Sequence, residues 1–241
     1  MCKIIFSVCR APPTAIIQGM IIGLVLCGLV AVLLFFGVAE QVFKSFGITY
    51  WLAFVLVGAL IGSAFIPSFS IGAVSFNVAG FIAPLVFAAI FITLCARSRE
   101  IWRAAVTATA VAAMFIAVWL LIEPITNETV TVLIVGFLCG AIGFLVAKTK
   151  LAALAAVFFG LPIGEAISSM VSAAIYGTPV QFGSAAMFDA VILSAVFAVV
   201  LFEAVSAIKR TMNKRAAAVN VGLAETAEEF DPDEYKKYFD E

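Results

Sequence analysis

The chain contains no histidine. That removes the commonest metal ligand and the usual general base for a serine or cysteine nucleophile. Its five cysteines, at positions 2, 9, 27, 95 and 139, form no C-x-x-C pair, and two of them lie inside apolar runs. A thiolate metal site therefore has no framework, and Cys27 and Cys139 read as small packing residues. Charge is equally scarce: 12% of the residues are Asp, Glu, Lys or Arg, and the formal net charge is −1. The basic residues cluster at the ends of apolar runs instead of on one face, which excludes a nucleic-acid patch.

What fills the chain is hydrocarbon. With 64% hydrophobic residues over 241 positions and a mean hydropathy of +1.19, it falls outside the range of soluble domains. Seven runs approach the length that crosses about 30 Å of hydrocarbon: 15–37, 49–68, 78–95, 101–122, 129–147, 151–176 and 184–208. Pro67, Asn77 and Pro84 interrupt the second and third. The first is longer than a signal-peptide core and lacks a small-x-small cleavage site, so it counts as a span. The expected fold is all-α, a polytopic helical membrane protein of about seven transmembrane helices filling residues 1–208.

Arg97, Arg99 and Arg103, then Lys148 and Lys150, then Lys209, Arg210, Lys214 and Arg215 mark alternate connections, whereas 123–128 carries only Glu123 and Glu128. The positive-inside rule makes the basic side cytoplasmic, with the N-terminus outside and the C-terminus inside. A six-span count, with part of 49–95 re-entrant, would join Lys3 and Arg10 to the other basic ends. Residues 209–241 form a basic and then acidic cytoplasmic tail, with eight acids among its last seventeen residues. That composition favours disorder, and its interleaved aromatics suit a basic cytoplasmic partner.

Two acids interrupt the last two spans, Glu165 and Asp189. A carboxylate at mid-membrane costs several kcal/mol (~2.5–3.5 on the lenient insertion scale) and marks a candidate site. Glu165, Ser168, Ser169 and Ser172 fall at i, i+3, i+4 and i+7, one polar stripe on an apolar helix. Depth along the spans places Asn77 and Gln181 in the same outer half. The expected constellation is a shared polar hollow holding Glu165, Asp189, the three serines and Asn77, binding a proton or a small cation through oxygen ligands. No metal cluster and no organic cofactor is implied.

Glycines four apart, Gly19/Gly23, Gly58/Gly62, Gly136/Gly140 and Gly160/Gly164, give smooth faces for helix packing in lipid or for a homo-oligomer. An internal echo joins Ile61-Gly62-Ser63-Ala64 to Ile163-Gly164-Glu165-Ala166, and Ala73 to Asn77 with Ala185 to Asp189. A parallel repeat would pair the second span with the sixth and the third with the seventh.

The segments around Glu165 and Asp189, together with Phe76-Asn77 through Pro84, resemble the domain of unknown function 1614 family. That resemblance implies a prokaryotic multi-pass protein of the cell membrane and carries no known chemistry. Three functions follow from the residues. The first is a transporter-like protein using the acid pair; the second is an intramembrane aspartyl-protease-like enzyme sharing a proton across that pair. The third is a non-catalytic scaffold working through its glycine faces and tail.

Overall fold

The computed structural model describes residues 20–37, 40–44, 47–95, 98–122 and 127–228. They form the helices α1 (Ile21–Phe35), α2 (Glu40–Lys44), α3 (Tyr50–Ser63), α4 (Ala83–Leu94), α5 (Ser98–Ile122), α6 (Glu128–Ala147), α7 (Lys150–Tyr176) and α8 (Ala185–Glu228). A π-helical turn, Val78–Ile82, leads directly into α4. Three short strands, β1 (Phe69–Ile71), β2 (Val74–Phe76) and β3 (Val180–Phe182), complete the described elements. The chain divides into two compact units, Met1–Leu201 and Phe202–Glu241. In the second, α8 continues to Glu228 through an alanine-rich, helix-favouring stretch. The acidic end beyond 228 lies outside the described residues.

Among the described residues, four helical segments are long and apolar enough to cross a membrane: Arg99–Leu121, Thr129–Ala147, Lys150–Tyr176 and Ala185–Asn213. Ile21–Phe35, Tyr50–Ser63 and Val78–Leu94 are apolar but shorter. At 1.5 Å per residue, 14 residues of α3 reach only about 21 Å. The second apolar run therefore does not continue as helix to 68. It ends at Ser63, and the remaining residues turn into a hairpin.

The hairpin pairs Phe69 with Phe76 and Ile71 with Val74 around Gly72, whose φ of +65° suits glycine. β2 then pairs in parallel with β3, Val74 with Val180, Ser75 with Gln181 and Phe76 with Phe182. The Phe69, Phe76, Phe182 and Phe81 rings pack in sequence with centroids 5.2–5.5 Å apart. An all-α expectation thus needs one addition, a small sheet sealed by phenylalanines. The sheet sets a second likeness side by side, Val74-Ser75-Phe76 against Val180-Gln181-Phe182. Between α3 and α4 lie β1, β2 and the π-turn, whereas β3 alone lies between α7 and α8.

α7 is the most buried of the four long spans. Pro162 lies within it without ending it. α5 lies along its glycines: a Cβ on Gly160 would sit 2.6 Å from the Ala108 carbonyl oxygen, and one on Gly164 3.1 Å from the Phe115 ring. Phe158 stacks on Phe87 and meets Phe91 at a tilt, both on α4. Gly136 and Gly140 of α6 admit Leu193, Phe197 and the Ser194 carbonyl of α8. These four glycines make the close approaches that lipid-embedded helices need in place of a hydrophobic drive. Gly58 and Gly62 do not: both are exposed, with nothing within 4 Å of a Cβ at either position. The α3 glycine face is therefore outside the packing of the described residues, because α3 meets its neighbours through Ala53, Leu56, Val57 and Leu60 instead. Gly19 lies outside the described residues.

Candidate functional site

A helix leaves its first amide N–H groups without internal partners, and within hydrocarbon no water supplies them. Three helices of this fold begin at buried or part-buried amides, and the polar residues singled out by sequence meet them. Asn77 Oδ1 accepts from the amides of Ala79 (2.9 Å) and Gly80 (3.2 Å), capping the π-turn that opens α4. Asp189, only 4% exposed, accepts from Gly23 N–H (2.7 Å) and Ile22 N–H (3.2 Å) at the start of α1. Glu165 reaches from α7 to the start of α8, where Oε2 accepts from Gly183 N–H and Oε1 from Ser184 N–H, each at 2.9 Å. Ser184 adds its own hydroxyl as acceptor for Met187 N–H (3.0 Å). Each carboxylate is thus a substitute for water at a helix start, with the favourable end of the helix dipole facing it.

The starts of α4 and α8 abut. Gly183 takes φ +79°, and a Cβ there would lie 2.7 Å from Phe81 N and 2.9 Å from the Asn77 carbonyl oxygen. On the other side, Gly80 lies against the Ser184 carbonyl and the Gly183 backbone. Asn77 N–H donates to the Phe182 carbonyl at 2.8 Å, fastening β2 to β3 just before the two helices depart.

A cavity of about 580 Å³ opens beside this junction. α7 contributes Glu165, Ser168, Ser169 and Ser172; α5 contributes Phe115 and Trp119. Thr131, Gln181 and Ser184 close further parts of its wall. The serines differ in what they offer. Ser168 Oγ donates to the Gly164 carbonyl (2.9 Å), and Ser169 Oγ accepts from Gln181 N–H (3.0 Å). Ser172 Oγ is buried without a partner among the described residues.

Of the residues expected in one hollow, Glu165, Ser168, Ser169 and Ser172 line the cavity, whereas Asp189 and Asn77 do not. The two acids are not arranged about a common space. Asp189 is one turn into α8 and faces α1, and Glu165 faces the start of α8 from α7. Phe115, Trp119 and Thr131 complete the wall without having been singled out by sequence. Trp119 had the ordinary signature of an interfacial ring, and nothing in its local sequence distinguishes a wall from a lipid contact.

Apolar membrane-length helices closing on a capped, polar recess define an integral membrane protein. The chain belongs to the YphA-like integral membrane protein family, whose pattern it matches over residues 21–221. The match supports a membrane family but not the domain of unknown function 1614 suggested by the motifs, whose few polar landmarks stand in a background where apolar sequence matches readily. No curated protein and no solved structure gives a significant match.

Proposed function

We propose that this chain is a small transporter-like protein of the cell membrane whose cavity takes up a proton or a cation at Glu165. The supporting observation is a carboxylate set in the wall of a roughly 580 Å³ cavity, beside a stripe of serines, between membrane-length helices. The Glu165 carboxylate holds the Gly183 and Ser184 amides and the Ser184 hydroxyl, and of its four lone pairs one remains for a ligand. A proton or cation arriving there competes with Gly183 and Ser184 for the same carboxylate. Occupancy then loosens the hold on the α8 start and on the 177–184 connection, which links binding to movement. Asp189 serves a different purpose, fixing α1 to α8.

Purified protein in liposomes tests this reading. Glu165→Gln keeps an acceptor for one amide but removes the charge, and cation or proton flux should fall by about tenfold or more. Asp189→Asn should leave the flux of correctly folded protein within about threefold. Equal flux from wild type and Glu165→Gln would sink the proposal. The aspartyl-protease-like alternative needs both acids on one water, and the separate placements of Glu165 and Asp189 give it no geometric support.

For topology we propose seven crossings, with the N-terminus outside and the C-terminus cytoplasmic. α1 begins at Asp189, and its Leu33 shares an apolar groove with Val199 and Val200, so α1 and α8 run in the same direction. An odd number of crossings gives the first and last spans that relation. A cysteine introduced at Asn127 should react with an impermeant thiol reagent from outside intact cells, and one introduced at Lys148 should not. The reverse pattern would invert the assignment.

A further inference from the structure

Resting on the reading of the Glu165 cavity as a cation site, the structure leads us to a substrate class: we propose that the cavity binds a small organic ammonium ion instead of a bare metal cation. Size is the first argument. About 580 Å³ is the scale of pockets that enclose organic ligands, and it is many times the volume of one water or one desolvated inorganic ion.

Charge is the second. Among the described residues lining the cavity, Glu165 is the sole ionisable side chain, so the wall carries a negative group with no Lys or Arg beside it. A cation in low dielectric needs such a counter-charge, and an anion would meet only repulsion.

The third argument is the composition of the remaining wall. Phe115 and Trp119 line it from α5, and Phe115 stands next to the helix turn that carries Glu165, since it is the ring met by a Cβ on Gly164. A hard metal ion prefers a shell of oxygen ligands and gains little from indole or phenyl faces. A substituted ammonium has the opposite preference: its apolar substituents pack on aromatic rings, whose electron-rich faces attract its diffuse charge. Ser172 adds a buried hydroxyl with no partner among the described residues, available to a hydroxyl or N–H on the ligand.

The test uses the full-length chain, purified in detergent, with Trp51→Phe and Trp102→Phe so that Trp119 is the single emitter. Both replaced tryptophans lie on the exposed surface, 77% and 71% accessible, so the changes are mild. The probes are choline, its neutral tert-butyl isostere and potassium ion. The expected result is saturable quenching of Trp119 by choline, with neither isostere nor potassium producing it. Glu165→Gln should weaken choline binding by about tenfold or more. Ser172→Ala, which removes a hydroxyl that no described residue uses, should weaken it by about threefold with thermal stability unchanged. Equal binding of choline and the isostere would overturn the inference, because the wall would then read shape and not charge. Glu165-dependent potassium or proton flux without choline binding would overturn the inference alone and leave the cation site standing. Flux insensitive to Glu165→Gln would remove both.

Discussion

Asp189→Ala is expected to release α1 from the bundle while leaving the Glu165 cavity in place. The carboxylate is buried, accepts from Ile22 and Gly23, and meets amides for which hydrocarbon offers no replacement. Removing both acceptor oxygens leaves one buried and one part-buried donor unmatched, at a combined cost of about 2–4 kcal/mol. Asp189→Asn retains one oxygen acceptor and should cost about half as much. Thermal unfolding in detergent gives the order wild type, Asn, Ala. A local readout accompanies it. Cys27, buried on α1, should be protected from a thiol reagent in the wild type and become labelled in Asp189→Ala, with the modified site identified by mass spectrometry. Choline quenching of Trp119 in folded Asp189→Asn should stay within about threefold of the parent, because Asp189 is outside the cavity wall. A variant of full stability that has lost flux would mean that Asp189 belongs to the binding machinery after all.

The sequence located the helices because a hydrocarbon-crossing segment must be apolar along its length, and that demand is visible in any window of residues. It did not locate their ends. Phe65, Ile66, Phe69 and Ile71 are as apolar as the helix before them, so hydropathy runs on past Ser63, where the helix stops. The strand signal was present in another form. Residues 68–76 alternate Ser with Phe, Ile or Val on either side of Gly72-Ala73, a two-residue hairpin pattern. The echo between Val74-Ser75-Phe76 and Val180-Gln181-Phe182 has the same two-residue period. Each strand is only three residues long, too short to stand out against the long apolar runs around it.

The site was legible in the same partial way. Glu165, Ser168, Ser169 and Ser172 share a helix face by arithmetic, and the cavity wall contains all four. The pairing of Glu165 with Asp189 rested on depth, which says nothing about azimuth. Met187 and Ala190 of α8 line the cavity, whereas Asp189, between them in sequence, faces α1. What an apolar sequence conceals is a helix that begins at a junction with other helices, its first amides away from solvent. Asp189, Glu165 and Asn77 each meet amides at a helix start, a role set by where the helices begin and not by hydropathy.

Gly183→Ala carries the other large expectation, and it tests whether the junction of α4 and α8 is as tight as the geometry implies. At φ +79° an L-residue costs about 1–2 kcal/mol relative to glycine. The added methyl also points at Phe81 N and the Asn77 carbonyl, which are backbone atoms and cannot rotate aside as a side chain would. Together these should cost about 3–5 kcal/mol, at the level where little folded protein is recovered. Gly177→Ala supplies the comparison. Its φ of +66° brings a similar strain, but nothing lies within 4 Å of its Cβ, so about 1–2 kcal/mol is expected. Chemical or thermal unfolding of the two variants separates strain from contact. Any folded Gly183→Ala protein should also bind choline less tightly, since moving Gly183 N–H displaces a group that orients Glu165. Gly177→Ala should leave that affinity unchanged. If both variants lose the same stability, the helix starts are not in rigid contact, and ligand at Glu165 would have no firm element to act upon.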